Sequence, residues 1–351
     1  MQPVRILILG TGGMAHNHAA HFAAIEGVSL VAGIDNRPEQ LAAFQAQHGL
    51  AQGFATVEAA IAWGGFDAVT NVTPDAAHCA TTLPFLAAGK HVLCEKPLAT
   101  NAADAEAMAA AAAKAGLVNM VNLSYRNVAA LQQAAAMVRE GAIGAIRHFE
   151  ASYLQSWLTQ PAWGHWNLET QWLWRLSTAH GSKGVLGDVG IHILDFATFI
   201  AGLDVVEVSC RLATFDKAPG GVIGDYTLDA NDSATLQVVL ANGALGTVAA
   251  TRFASGHLND LRLRIYGDQG GLEVGWENNT SLLRACLAPD LQLATWHTVD
   301  APVLPTVYQR FIAAIRGTAE AEPDFARGAA LQRLLDRAEQ SAAQKGVSLA
   351  V

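Results

Sequence analysis

Two hydrophobic patterns alternate along the first third of the chain. Short apolar runs rich in β-branched residues are separated by alanine-rich stretches whose apolar positions have helical spacing. This alternation of strand and helix predicts a parallel sheet with helices on both faces. The predicted strands are Val4–Leu9, Val28–Ile34, Ala68–Val72, His91–Cys94 and Val118–Leu123, and the predicted helices cover about 14–26, 37–48, 76–89 and 101–116.

The pattern changes after about residue 123. From 204 to 298, successive strand-like runs are separated by turn signals such as Ala241-Asn242-Gly243, which predicts antiparallel strands joined by hairpins. Residues 155–178 have little periodicity. The other predicted elements are a helix at 128–140, a strand at Ile146–Tyr153, a helix from near Gly187 to about Ile200, and two final helices near 305–316 and 326–345.

Composition narrows the class of protein. Hydrophobic residues make up 51% of the 351 residues and charged residues 15%, which is enough apolar material for two domains. The net charge of -9, with no basic run, argues against nucleic acid or a membrane as a partner. The four cysteines are widely spaced, and we see neither a signal-peptide pattern nor an apolar run long enough to span a bilayer. We therefore expect a cytoplasmic protein.

A glycine-rich turn lies between the first predicted strand and the first predicted helix. Residues Gly10-Thr11-Gly12-Gly13-Met14-Ala15 form the pattern G-x-G-x-x-A. In this pattern Gly10 permits the tight turn, Gly12 lets the backbone approach a pyrophosphate, and Ala15 allows close packing of helix on strand. The amino-terminal end of the helix offers N–H groups and a partial positive charge to the phosphates. The turn therefore predicts a dinucleotide site.

Asp35 directly follows the second predicted strand, at the spacing expected of an acid that binds the adenine ribose. A carboxylate there accepts hydrogen bonds from both ribose hydroxyls of NAD and repels the 2′-phosphate of NADP. Arg37 lies close by and offers a partner for that phosphate. We therefore predict NAD as the cofactor, with NADP as the alternative.

Two further segments indicate a family. The first is N-V-T-P at Asn71–Pro74 with His78, followed by E-K-P at Glu95–Pro97 after a strand, and the second is D-x-G-x-H-x-x-D at Asp188–Asp195. Together with the glycine-rich turn, they resemble the glucose-fructose oxidoreductase, inositol dehydrogenase and rhizopine catabolism (Gfo/Idh/MocA) family. The similarity covers essentially the whole chain.

The resemblance implies an α/β fold with two domains. Residues 1–123 would form a Rossmann NAD(P)-binding domain. Residues 124–351 would form a substrate-binding and oligomerisation domain with a large, open, mainly antiparallel sheet, and the terminal helices can pack back on the first domain. The nicotinamide would sit at the cleft between the domains. We expect a homodimer or homotetramer formed through the sheet, since an uncovered face would otherwise expose much apolar surface.

The functional residues of the family carry over to the matching positions of this chain. The resemblance makes Lys96, Asp188 and His192 the catalytic residues and implies a cis peptide at Lys96-Pro97. With the residues of the turn, the predicted cofactor-binding set is Gly10, Thr11, Gly12, Gly13, Met14, Asp35, Arg37, Thr73, Pro74, His78, Glu95, Lys96 and Asn122. The predicted substrate-binding set is Lys96, Tyr125, Arg126, Trp174, Arg175, Asp188 and His192.

Alcohol oxidation needs the same residue types. It requires a hydride acceptor and a base for the hydroxyl proton, and an imidazole such as that of His192 exchanges protons near neutral pH. Asp188 lies four residues earlier on the same helix face and can orient that ring or bind a substrate hydroxyl. Lys96 can polarise the reacting oxygen. Whether Lys96 or His192 takes the proton stays open.

We therefore predict an NAD(P)-dependent dehydrogenase that transfers a hydride between nicotinamide and a secondary-alcohol carbon of a sugar, an inositol or a sugar derivative. The alternatives are an NAD-dependent glycoside hydrolase of the same fold and a non-catalytic, dinucleotide-sensing regulator. We predict no metal site, since Asp188, His192 and Asp195 are accompanied by no cysteine or second histidine.

Two other features have simpler interpretations. His16, His18 and His21 are predicted to lie on the helix surface or to pack beside the cofactor. The tryptophan-rich stretch is predicted to be either a lid or subunit contact near the cleft, or a hydrophobic loop packed on the sheet. Its tryptophans are Trp157, Trp163, Trp166, Trp172 and Trp174.

Overall fold

The computed structural model describes residues 3–351. The chain divides into two compact units, the first with the residues up to Ser124 and Pro305–Gln332, the second with Tyr125–Leu304 and Arg333–Val351. The predicted domains, 1–123 and 124–351, allowed for terminal helices that pack back on the first domain, and the segment 305–332 falls in the first unit.

The first unit contains a six-stranded parallel sheet, in the order β3-β2-β1-β4-β5-β6. This confirms the predicted Rossmann-type architecture. Its elements are β1 (Val4–Leu9), α1 (Gly13–Ala23), β2 (Val28–Ile34), α2 (Pro38–His48), β3 (Gln52–Phe54), α3 (Val57–Trp63), β4 (Ala68–Asn71), α4 (His78–Ala87), β5 (His91–Cys94), α5 (Ala102–Ala115) and β6 (Asn119–Val121).

Two short elements, β3 and α3, are absent from the prediction. β3 has only three residues and pairs with β2 alone, at the edge of the sheet, so its sequence needs no apolar run. α3 has seven residues, and Thr56 caps it by accepting a hydrogen bond from the N–H of Ala59. Neither element is long enough to show a period.

The buried face of α1 fixes the helix on the sheet, and its position after β1 determines where its amino-terminal end lies. The buried residues Ala15, His18, Ala19 and Phe22 have the i, i+3, i+4, i+7 spacing of one helix face. Ala15, Ala19 and Phe22 share a core with strand residues such as Ile6. Because α1 begins just after β1 ends, its amino-terminal end lies at the carboxyl edge of the sheet, where ligands bind in such folds.

The second unit contains a nine-stranded sheet, in the order β16-β15-β14-β13-β7-β12-β11-β8-β17. Only β7 and β12 pair in parallel, so the predicted, mainly antiparallel sheet is confirmed. The elements of this unit are α6 (Ala129–Arg139), β7 (Ile146–Leu154), α7 (Thr170–Leu173), α8 (Ile191–Ala201), β8 (Val205–Ala213), β9 (Val222–Ile223), β10 (Tyr226–Thr227), β11 (Ser233–Leu240), β12 (Leu245–Thr251), β13 (Asp260–Gly267), β14 (Gly270–Glu277), β15 (Thr280–Leu287), β16 (His297–Thr298) and β17 (Leu349–Ala350). Of the two last helices, α9 (Val307–Ile315) belongs to the first unit, and α10 (Phe325–Ala343) begins in the first unit and ends in the second.

The two faces of the nine-stranded sheet differ in polarity. α8 contacts β7, β12 and β13, and nearly all of its residues are buried. The opposite face carries exposed polar residues such as Thr235, Gln237 and Thr247, and Glu273 there bridges two arginines. This face is therefore largely polar, although it also exposes apolar residues such as Leu245 and Leu282.

Within residues 3–351, no helix combines the length and the apolar character that crossing a membrane requires.

Candidate functional site

The glycine-rich turn of the first unit is shaped for a close ligand. Gly10 has φ +82, and a Cβ there would lie 2.8 Å from the carbonyl oxygen of Val72. Gly12 begins α1 without a side-chain cap, and the first turn of the helix has no acidic residue. A Cβ at Gly13 would meet nothing within 4 Å. No side chain caps this helix end, and the space beside Gly13 is open, which leaves the end accessible to an anion.

Asp35 is held as an anion beside this turn. One of its oxygens accepts hydrogen bonds from the amide of Thr11 at 3.0 Å and from the hydroxyl of Thr11 at 2.8 Å. Nε of Arg37 donates to the other oxygen at 2.9 Å. Burial opposes ionisation, but the bonds from Arg37 and Thr11 outweigh it and hold the pKa of Asp35 well below its usual range. Arg37, predicted as a possible partner for a 2′-phosphate, is thus engaged by Asp35.

The loop after β4 is organised by Asn71. Its side-chain oxygen accepts hydrogen bonds from the amide of Thr73 at 3.1 Å and from the hydroxyl of Thr73 at 2.7 Å. Thr73 is half-buried and Pro74 is exposed, so both remain candidates for contact with a cofactor.

His78 does not lie where the sequence analysis placed it. It was predicted to line the cofactor, but it is completely buried. Its Nδ1 is 2.8 Å from the carbonyl oxygen of Pro97, and its Nε2 is 2.9 Å from the carbonyl oxygen of Thr73. The buried ring of His78 therefore joins the loop after β4 to the loop after β5 by hydrogen bonds to a backbone carbonyl of each.

Glu95 connects the loop after β5 to α1. Its Oε1 accepts hydrogen bonds from His18 and from Asn122, both at 2.7 Å. Its Oε2 accepts one from the amide of Lys96 at 3.1 Å. Burial opposes ionisation, but the bond from His18 and the other contacts lower the pKa of Glu95 to about 2. The peptide Lys96-Pro97 is cis, as predicted.

His18 is a site residue whose role the sequence analysis missed. It is completely buried, and its Nδ1 lies 2.7 Å from the hydroxyl of Thr70. Its position on the apolar face of α1, between Ala15 and Ala19, is a signal that the sequence contains, because a histidine on such a face needs polar partners. His16 contacts His48 and His21 stacks on Tyr308, so these two pack as predicted.

Asn122 follows β6 and completes this half of the site. Its amide nitrogen lies 2.7 Å from Glu95 and 3.2 Å from the hydroxyl of Tyr308. Its Oδ1 is buried and accepts no hydrogen bond from the described residues. A buried acceptor of this kind suits a ligand that brings its own donor, such as a carboxamide. With Asp35 and the open helix end, the first unit fits a nicotinamide dinucleotide.

In the second unit, Asp188 lies against two arginines. Arg252, which follows β12, is fully buried and donates from Nη2 to Oδ2 of Asp188 at 3.0 Å and from Nη1 to the carbonyl oxygen of Arg175 at 3.1 Å. Burial lowers the pKa of Arg252, and the charge of Asp188 opposes that effect. Nε of Arg175 lies 3.9 Å from the same oxygen of Asp188. The sequence analysis missed Arg252.

His192 lies in the first turn of α8, 7% exposed, with two tyrosines beside its ring. The ring of Tyr125 meets it edge to face at 5.0 Å, and the ring of Tyr153 lies at 6.3 Å. Burial, with a contribution from the charge of Asp188, raises the pKa of Tyr125 to about 12. The structure thus brings His192 and Tyr125 into contact, with Asp188 close enough to act electrostatically on Tyr125.

A chain of hydrogen bonds extends from Tyr125. Its hydroxyl lies 2.5 Å from that of Tyr153, which donates to Oδ1 of Asn259 at 2.8 Å. Gln155 donates to the same oxygen at 2.8 Å. Because the proton of Tyr153 is used by Asn259, Tyr125 must donate to Tyr153, and its own oxygen keeps lone pairs for another donor.

Arg126 requires a correction. It was predicted to bind substrate, but it is 1% exposed, and its guanidinium donates to both oxygens of Asp195 at 2.6 and 2.8 Å. The guanidinium also lies over the ring of Phe199. Arg126 is therefore a structural residue of the second unit, and Asp195 is its partner.

The tryptophan-rich stretch divides into a buried part and an exposed part. Trp157 packs with Leu173, Leu176 and Leu228, with Trp166 and Trp172 against them, which is the predicted hydrophobic loop. Trp174 is 37% exposed and lies under the guanidinium of Arg175 at 4.5 Å. The exposed ring and Arg175 stay candidates for substrate contact.

Two models of known protein families match this chain, each over a different part of the sequence. A family model described as an oxidoreductase family with an NAD-binding Rossmann fold matches residues 4–123. A model of the GFO/IDH/MocA C-terminal domain matches residues 131–273.

Individual relatives agree with these matches. Levoglucosan dehydrogenase of Pseudarthrobacter phenanthrenivorans is 28% identical over 304 residues, which are 80% of this chain and 76% of the relative. A crystal structure of an oxidoreductase domain protein from Kribbella flavida is 31% identical, with a TM-score of 0.88 and 100% of both chains covered. Levoglucosan dehydrogenase in complex with NADH and L-sorbose is 26% identical, with a TM-score of 0.86 and 100% and 99% of the two chains covered.

Proposed function

Because the chain belongs to the Gfo/Idh/MocA oxidoreductase family, we propose that it transfers a hydride between NAD and a secondary-alcohol carbon of a sugar, an inositol or a sugar derivative. The observation that carries the proposal is the cluster of Asp188, His192 and Tyr125, in which the buried Arg252 donates a hydrogen bond to Asp188. The Arg252 side chain is 0% exposed and the Asp188 side chain is 31% exposed, so the buried guanidinium holds a carboxylate that stays accessible to a ligand.

The cofactor binds in the first unit. The open amino-terminal end of α1 would hold the pyrophosphate, Asp35 would accept hydrogen bonds from the ribose hydroxyls, and Oδ1 of Asn122 would accept one from the carboxamide. NAD is preferred over NADP because the ionised Asp35 repels a 2′-phosphate. Bound NAD supplies the hydride acceptor.

The remaining residues handle the proton and the substrate. Oxidation of an alcohol releases a proton, which His192 receives, while the ammonium of Lys96 stabilises the negative charge that develops on the reacting oxygen. Asp188 accepts a hydrogen bond from Arg252 and binds a substrate hydroxyl. Tyr125, Trp174 and Arg175 offer a hydrogen-bond acceptor, an aromatic face and a cation, which suit a polyhydroxylated ring.

A screen for NAD reduction across sugars, inositols and sugar acids tests this proposal. A dehydrogenase forms NADH in proportion to the oxidised substrate. An NAD-dependent glycoside hydrolase forms product without net NADH, and a regulator forms neither. Lys96→Ala should lower kcat about 100-fold or more and leave NAD binding nearly unchanged, while the exposed Lys114→Ala on α5 serves as the control. Unchanged turnover in Lys96→Ala would remove Lys96 from the mechanism.

A further inference from the structure

The hydrogen-bond partners of the two ring nitrogens of His78 indicate that its imidazole carries a proton on both nitrogens. Both ring nitrogens point at backbone carbonyl oxygens, of Pro97 at 2.8 Å and of Thr73 at 2.9 Å. A carbonyl oxygen only accepts hydrogen bonds, and a neutral imidazole has one N–H and one lone pair. A neutral His78 would therefore place a lone pair against an oxygen, in a position with no exposure to water.

We propose that His78 is a permanently protonated imidazolium that joins the loop after β4 to the loop after β5 and thereby positions Lys96. Charged N–H groups form stronger hydrogen bonds to carbonyl oxygens than neutral ones do. The positioning role rests on the proposed function, whereas the protonation state does not.

The groups around His78 favour the cation. Cys94, at the end of β5, and Asp75, just before α4, are the titratable groups that face the ring. Burial acts against the charged form, as does the position of His78 at the amino-terminal end of α4. Contacts with Cys94 and Asp75 and the carbonyl of Pro97 outweigh burial and raise the pKa of His78 to about 10.

The backbone on both sides of the Lys96 side chain is held by hydrogen bonds to other side chains. Its amide donates to the carboxylate of Glu95, and the carbonyl of the next residue, Pro97, accepts from His78. On the other loop, Thr73 is held by Asn71 and by His78. Loss of His78 would release one side of each loop without removing any of the side chains that are proposed to contact a ligand.

Nitrogen NMR of the whole protein, labelled at histidine, tests the protonation state directly. We expect both imidazole nitrogens of His78 to carry a proton from about pH 6 to about pH 9, with signals that disappear in His78→Gln. A single lone-pair nitrogen on His78 at neutral pH, or titration of the ring within that range, would overturn the proposal. This measurement needs no substrate, so its result is independent of the proposed function.

Steady-state kinetics with the substrate found in the screen test the positioning role. Glutamine carries its N–H donors on a single nitrogen, so it cannot replace the two separate ring nitrogens that face the two carbonyl oxygens. We expect His78→Gln to lower kcat about 100-fold, as small displacements of a reacting group do, with a much smaller change in KM for NAD. The exposed His297→Gln on β16 is the matched control. Equal kcat in His78→Gln and wild type would refute the positioning role, and if the variant does not fold, NMR of the wild type still decides the protonation.

Discussion

Ionisable side chains in the interior of both units are matched to partners that are distant in sequence. Arg252 meets Asp188 across 64 positions, and Glu95 meets His18 across 77. Motif spacing identifies a residue such as Lys96 or His192, but it carries no information about a partner that the fold supplies. Asp188 and Glu95 could therefore be identified from the sequence, whereas Arg252 and the role of His18 could not.

Arg252 should affect the reaction through Asp188. In Arg252→Met, Asp188 loses a charged hydrogen bond, and we expect kcat/KM for the sugar to fall about 10- to 100-fold, with NAD affinity unchanged. Arg264→Met, at an exposed arginine of β13, is the control. In a double-mutant cycle with Asp188→Asn, the loss of transition-state stabilisation, calculated from kcat/KM, should be smaller in the double variant than the sum of the losses in the two single variants. Full additivity would show that Arg252 does not act through Asp188.

Glu95 should contribute to stability in a pH-dependent way. Its pKa falls from 4.5 to about 2 on folding, which corresponds to a contribution of roughly 3 kcal/mol to the unfolding free energy. This contribution is complete above the pKa of the unfolded state and is lost as the pH falls through the pKa of the folded state. We expect the unfolding free energy, measured in urea, to drop less between about pH 6 and about pH 3 in Glu95→Gln than in wild type. Glu58→Gln, at an exposed position of α3, should retain the wild-type drop. A drop in Glu95→Gln equal to that of wild type would contradict the assignment.

At the scale of elements, long and regular segments were predictable and short or irregular ones were not. The bounds of β2 and β5 agree with the prediction, because apolar runs end there at polar residues. The helix expected near Gly187 begins as a wide turn, a π-helix at Leu186–Gly190, before α8. Hydrophobic periodicity does not distinguish such a turn from an α-helix.

The turn between β1 and α1 offers a matched pair of glycines. Gly10→Ala introduces a Cβ 2.8 Å from the carbonyl oxygen of Val72 at a positive φ, and we expect it to lower the unfolding free energy by about 2 kcal/mol or more. Gly13→Ala enters open space within α1, and it should leave stability unchanged or raise it by up to about 1 kcal/mol. Thermal unfolding of both variants tests this pair, and similar losses in the two would refute the argument.

At the scale of the whole molecule, we propose that copies of the chain associate through the exposed face of the nine-stranded sheet. Because this face is polar, association would depend on matched polar and charged groups more than on apolar burial. Ala249→Arg, in the middle of β12, should convert a dimer or tetramer into monomers in sedimentation experiments, whereas Gln47→Arg on α2 should not. A wild-type protein that is monomeric at all concentrations would contradict the proposal.

Transfer of a labelled hydride tests the central claim most directly. The substrate found in the screen, carrying deuterium on its reacting carbon, is incubated with NAD and the protein, and the nicotinamide is analysed by mass spectrometry. We expect one deuterium in the reduced nicotinamide for each molecule of sugar oxidised, at a rate that is lowered about 100-fold or more in Lys96→Ala. Oxidised sugar without deuterium in the nicotinamide would contradict the central claim.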